Sequence, residues 1–210
     1  MNERTLVRAY TASVLGVATL GLGAALPAHP QDLRAEAIGM LKHDFRPRGI
    51  ATLDRIDEDA VQAICNRSHD NPPKQIAERL ERDQLESVKY PADGKLLGNW
   101  KSGETIAQDG RGMTWSDRPG APGGGSCYNC HQIGPKETSF GTIGPSLYQF
   151  GRLRGGGPDT QKYVYAKIYN AKAYNLCSAM PRFGYAGALT EQQIKDLVAL
   201  LLDPNSPVNQ

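Results

Sequence analysis

Three features of the sequence predict a mainly α-helical protein. Apolar residues recur at helical spacing in five separate segments, no stretch alternates convincingly at period two, and the last helix carries both a start and a stop signal. The 210 residues, 40% hydrophobic and 22% charged, supply enough apolar material for one modest core plus an extension.

The first helix is "QDLRAEAIGMLKHDF", where Leu33, Ala37, Ile38 and Leu41 share a face and Met40 falls on the apolar side, with a core role expected. In "DEDAVQAICNRS", Val61, Ile64 and Cys65 form a second short face. A third helix is predicted at "PPKQIAERLERDQLESV", with Pro72 and Pro73 at its start and Ile76 and Leu80 on one side. Together these make an N-terminal helical extension over residues 29–92. From Tyr90 the composition changes: a short helix is expected near Ser102 to Gln108, followed by a long Gly/Pro-rich loop. Loops of that length in compact domains are more often functional than idle. "TQKYVYAKIYNAKAY" sets Val164, Ile168 and Ala171 on one stripe. Last, "TEQQIKDLVALLLD" opens on a Thr190/Gln193 capping box, places Ile194, Leu197, Val198 and Leu201 in a row, and is stopped by Pro204. The second unit covers residues 93–210.

At the N-terminus, Arg4 and Arg8 precede an uncharged run from Val14 to Leu26, with small residues at Ala24 to Ala28. This reads as a secretory signal peptide, residues 1–28, with an uncleaved anchor as the alternative. A periplasmic location follows, and cysteines in an exported protein tend to become disulfides, metal ligands or attachment points. The 24 basic and 22 acidic residues give a formal charge of +2, which excludes a nucleic-acid binder driven by a strong basic field.

"CYNCH" at residues 127–131 is the attachment signature of a c-type haem: Cys127 and Cys130 can form thioethers to the vinyl groups, and His131 then lies under the iron as proximal ligand. Two other readings remain open. A C-x-x-C pair can supply half a zinc site, although Cys65 and Cys177 are isolated singles, and a dithiol redox motif would expect a βαβ surrounding. The upstream "GAPGGG" reads either as a flexible loop or as backbone able to pass close to a porphyrin edge.

A haem iron held by one histidine needs a sixth ligand. Met113 stands in the loop near Trp115, whereas Met180 lies in "CSAMPRFG" with Pro181 fixing the backbone directly after it. Met180 is the expected distal ligand, with a core role as its alternative, and a thioether there raises the reduction potential relative to a second imidazole. The outer N–H of His131 needs an acceptor, and "GTIGPSL" offers the carbonyl of Pro145 unless this is simply a turn proline.

The order "SGETIA", "CYNCH", "GPSL", "MPRFG" and a capped terminal helix resembles class I cytochromes c over roughly residues 95 to 203. "YPADGKLLGNW", "CYNCHQIGPKETSFGTIGPSL", "AYNLCSAMPRFG" and "LLDPNSPVN" are further similar to the small monohaem X subunits of the SoxAX complexes of bacterial sulfur oxidation. The resemblance implies a class I cytochrome c-like haem domain with one covalently bound haem c. Cys127, Cys130, His131 and Met180 match the family's haem positions. It also implies a heterodimer with a catalytic A subunit, an L-cysteine S-thiosulfotransferase that couples thiosulfate to a cysteine of a carrier protein. The X subunit would accept the two released electrons in turn and pass them to a soluble cytochrome c.

Cys65 and Cys177 are predicted to form a disulfide. By the loop-entropy model a closure this long stabilises by about 4.7 kcal/mol, and it would tie the extension to the segment carrying Met180. The alternative makes Cys177 a thiolate ligand or a reactive thiol. No convergent acid–base set suggests catalysis in this chain alone: His29, His43 and His69 are expected to be solvated or capping residues, and Arg182 either solvated or part of a docking face. The rival functions are a free-standing shuttle cytochrome for a terminal oxidase or reductase, and a haem protein with an open sixth position.

Overall fold

The computed structural model describes residues 30–210; residues 1–28, which the sequence reads as a signal peptide, and His29 lie outside the described residues. Seven α-helices follow one another among these residues: α1 Pro30–Asp44, α2 Ala60–Arg67, α3 Lys74–Glu86, α4 Trp100–Gln108, α5 Phe150–Arg154, α6 Pro158–Tyr169 and α7 Glu191–Leu202. Short 3-10 turns stand at Leu53–Ile56, Cys127–Asn129, Ala171–Ala173 and Pro207–Asn209. Among the described residues the only β pairing is an isolated bridge between Arg48 and Ala51. The mainly α expectation is met.

The centre of the fold is the crossing of α4 and α7. Gly103 makes it possible: a Cβ at that position would stand 2.2 Å from the Asp196 carbonyl oxygen, so the two backbones touch where no side chain intervenes. The Asp196 carboxylate accepts from the Asn99 N–H at 2.8 Å, the Gly98 N–H donates to the Lys195 carbonyl at 3.0 Å, and the Asn99 side chain caps α4 by accepting from the Lys101 N–H. α7 starts on its Thr190/Gln193 capping box. Its Ile194, Leu197, Val198 and Leu201 are all buried, joined by Tyr165, Val164 and Ile168 of α6, Ala107 of α4, Ile133 and Val208. Residues on the far side of α7 are buried too, because the C-terminal turn folds over it and Asn209 Nδ2 donates to the Leu201 and Asp203 carbonyls. Each fully buried Leu, Ile or Val contributes about 1.5–3 kcal/mol, so this cluster carries most of the fold's stability.

A second, smaller core forms where α2 and α3 meet the segment around Leu176. Asp59 and Gln62 form a capping box that starts α2, and Val61, Cys65 and Leu176 are buried, with Ala77, Leu80 and Cys177 half-buried against them. Ile76, paired with Leu80 on the sequence pattern, is 36% exposed instead. α3 is turned so that Ala77, Leu80 and Gln84 face inward, because the amides and carboxylate on that side have partners to reach. Asn170 Nδ2 donates to Gln84 Oε1 at 3.1 Å and Ser87 Oγ at 3.0 Å, and Glu81 Oε1 accepts from the Leu176 N–H.

α1 corrects a second expectation. Met40 is 59% exposed, and Leu33, Leu41 and Phe45 are exposed as well. The helix forms, and its main neighbour among the described elements is the short Leu53–Ile56 turn, with Arg34–Glu58 and Lys42–Asp57 ion pairs to the residues just after it. One small neighbour cannot cover a whole apolar face. Past α1, the chain grips the loop ahead of the haem motif: the Arg48 guanidinium lies 3.4 Å above the Trp115 ring and Arg55 Nη1 donates to the Met113 carbonyl at 2.7 Å.

Candidate haem site

Entry to the motif is made by Ser126 in a left-handed conformation, φ 46°, which swings the chain into the 3-10 turn of Cys127–Asn129. The Cys130 and His131 N–H groups both donate to the Cys127 carbonyl, at 3.1 and 2.9 Å, so both cysteines and the histidine project from one tight loop. The stretch before it is not slack. Gly124, Gly125 and Ser126 donate to the carbonyls of Arg111, Ile106 and Asp109, at 2.8, 2.8 and 2.9 Å. A Cβ on Gly124 would lie 1.8 Å from the Asp109 oxygen, and one on Gly125 would come 2.8 Å from Cys127 Sγ. Gly124 and Gly125 are there for close approach, which at these two positions replaces the flexible-loop reading.

Cys127 and Cys130 are not disulfide-bonded. Burial pushes the Cys127 thiol up to about 12, with the neighbouring Cys130 adding to the rise against a main-chain hydrogen bond. A dithiol oxidoreductase needs the opposite, a thiolate stabilised by its surroundings. Zinc fares no better. Among the described residues the single grouping of His, Cys and carboxylate close enough to share an ion is Cys65, Asp70 and Cys177, and two of those are bonded to each other. Among the described residues nothing completes a tetrahedral set around Cys127 and Cys130.

His131 is oriented from behind. Its Nδ1 stands 2.7 Å from the Pro145 carbonyl oxygen, which places the ring proton there and leaves the Nε2 lone pair free. Gly144 lies flat against the imidazole, and the Gly144 N–H donates to the Cys130 carbonyl at 2.8 Å, which locks the two strands of the loop together. Sequence reasoning passed over Gly144; the signal was a glycine directly before the proline of "GTIGPSL".

Met180 is half-buried against the main core that Cys127 also borders. Its N–H donates to Ser178 Oγ at 3.2 Å. The other methionines among the described residues are placed elsewhere: Met40 on α1, exposed, and Met113 in the loop held by Arg55, also exposed. Two free sulfurs on one turn, an imidazole with one nitrogen committed and one open, and a thioether beside the same core form a donor set that fits a c-type haem. Cys177, by contrast, is bonded to Cys65 with Cα atoms 5.4 Å apart, which removes it as a thiolate ligand or reactive thiol.

His43 and His69 are exposed, His43 beside Asp44 and His69 in a left-handed turn after α2. Arg182 is neither solvated nor free. Its side chain is only 15% exposed, forms an ion pair with Asp59, and stacks 4.6 Å from the Tyr185 ring centroid. Burial tends to raise the Asp59 carboxyl, but the Gln62 N–H and the hydrogen bond and charge of Arg182 together lower it below the ordinary range.

Comparison with known proteins bears on the same region. Residues 124–203 match the cytochrome c family. The chain is 36% identical over 157 residues to a protein of Aquifex aeolicus (strain VF5) described as an uncharacterized lipoprotein, covering 73% of each. One chain in the crystal structure of SoxXA from P. pantotrophus is 26% identical, over 51% of this chain and 82% of that one. Its TM-score is 0.35, too low for the two folds to be compared.

Proposed function

We propose that this chain, whose residues 124–203 form a cytochrome c domain of the kind that carries covalently bound haem c, is an electron-transfer subunit of the SoxX type. On this reading Cys127 and Cys130 would hold one haem, His131 and Met180 would supply the ligands to its iron, and Pro145 would orient His131. The observation that carries this reading is the turn itself: two unbonded cysteines and a histidine leave one 3-10 loop, with the imidazole already fixed by the Pro145 carbonyl. The haem supplies a one-electron couple when bound. The chain's own residues would keep it in place and set the plane of the His131 ring.

The finer assignment rests on sequence: "YPADGKLLGNW", "AYNLCSAMPRFG" and "LLDPNSPVN" are similar to the X subunits of SoxAX complexes. On that reading the protein is periplasmic, exported through residues 1–28, and pairs with a catalytic A-type cytochrome. The A subunit couples thiosulfate to a carrier cysteine, and this chain relays the electrons to a soluble cytochrome c.

Protein matured in its native host should retain its pigment through acidified acetone and contain one haem per chain; extraction of the pigment overturns the assignment. Co-purification with a larger haem-bearing subunit, and reduction of this haem by thiosulfate only when that subunit and the carrier are supplied, supports the thiosulfate role. A protein that stays monomeric and exchanges electrons with several unrelated oxidases or reductases would instead be a shuttle.

A further inference from the structure

Both ends of the segment that carries Met180 are held by one helix of the extension. Cys177 is bonded to Cys65 in the last turn of α2, and Arg182 is paired with Asp59, the N-cap residue of the same helix. Between these anchors the backbone is poorly fastened. From Ala179 to Arg182 no N–H donates to a main-chain carbonyl, and the one local bond runs from the Met180 N–H to Ser178 Oγ. Pro181 has no N–H to give. Outside the anchors the chain is well held: the Leu176 N–H donates to Glu81, buried Lys172 donates to the Leu176 carbonyl at 2.9 Å, and the Ala186 N–H donates to the Arg182 carbonyl at 2.9 Å. The position of the thioether is therefore set from its two ends.

We propose that α2 is a strap for the distal ligand, with Asp59 and Arg182 acting as positioning residues that keep Met180 at the iron. The proposal rests on the reading of Met180 as distal ligand. Partners outside the ligand set orient the ligands themselves, and a loop with few bonds of its own opens locally unless its ends are tied. The disulfide secures the N-terminal end of the loop. The C-terminal end depends on the guanidinium, which is locked between the Asp59 carboxylate and the Tyr185 ring and sits one residue past Pro181. Opening of this loop would bare the sixth position to small ligands.

The test uses the full-length, matured ferric protein, with cyanide as probe and the weak far-red charge-transfer band of a thioether-ligated haem as a second readout. Asp59→Asn keeps an N-cap side chain for α2 and removes the charge; Arg182→Gln removes the other partner. Each should accelerate cyanide binding roughly tenfold, the factor expected when a hydrogen bond to a charged group is lost, with haem content unchanged. The double variant should be no faster than either single one, because the two residues act as one unit. Should Arg182→Gln fail to accumulate, Arg182→Lys, which keeps the charge and loses the planar fork, carries the same expectation. Cyanide rates and band equal to the parent's in these variants overturn the strap, provided Met180→Ala changes both. If Met180→Ala changes neither, it is the assignment of Met180 that fails.

Discussion

Gly144 lies against the face of the His131 imidazole so closely that a Cβ there would come within 2.2 Å of the ring's Cε1. The same loop carries the Pro145 carbonyl that accepts from the ring. Gly144→Ala should therefore displace the imidazole or break that hydrogen bond. The expected outcome is a lower yield of haem-loaded protein and, in what matures, a shifted reduction potential, both read by spectroelectrochemical titration. An unchanged potential and yield would mean that the ring has room to move.

Gly103 faces the Asp196 main chain across the central helix crossing. Gly103→Ala should cost about 1–3 kcal/mol, the range for overpacking a tight contact. At this chain length a loss of 1 kcal/mol lowers the melting temperature by about 2–4 °C. Calorimetry of the haem-loaded protein checks it, and the haem spectrum should stay as it was, because the atoms nearest an added Cβ belong to Asp196 and Leu200.

The Cys65–Cys177 bond closes a loop of 112 residues. Replacing both cysteines with serine should cost about 2–5 kcal/mol in denaturant unfolding. Mass spectrometry of unreduced protein should find neither thiol free; a free thiol at Cys177 contradicts the pairing.

The Asp59 carboxyl is held below its ordinary range in the folded chain, so the stability it contributes is complete above the unfolded carboxylate value. That contribution disappears as pH falls through the lowered folded value. The melting-temperature gap between the parent and Asp59→Asn should be full at neutral pH and close at pH values below about 4, where the unfolded carboxyl begins to bind protons. A gap independent of pH down to strong acid would show that the charge is not what matters.

Met180→His should leave the haem attached but lower its potential, since an imidazole favours the ferric state more than a thioether does. Redox titration against the parent decides it.

Helix class and the cap of α7 were legible because their causes are local: periodicity, a Thr and Gln three residues apart, a closing proline. The five letters of the haem motif are contiguous and span a single turn. What escaped depends on neighbours distant in the chain. Spacing told which side of α1 is apolar but not that so little would cover it, leaving Met40 in water. Ile76 lost its inward position because α3 turns buried Gln84 toward Asn170, a pairing 86 residues away. The five-residue α5 is too short to show a period, and Arg182 resembles any surface arginine until Asp59 is brought beside it from 123 residues upstream.

The grip of the extension on both sides of the motif has an implication for shortening the chain. A fragment beginning at Tyr90 would keep "CYNCH" and Met180, yet strip Asn170 of its Gln84 and Ser87 acceptors, the Leu176 amide of Glu81, Arg182 of its counterion and Trp115 of its guanidinium cover. A minimal carrier cannot be reached by trimming; residues 170–182 would first have to be redesigned for contact with solvent.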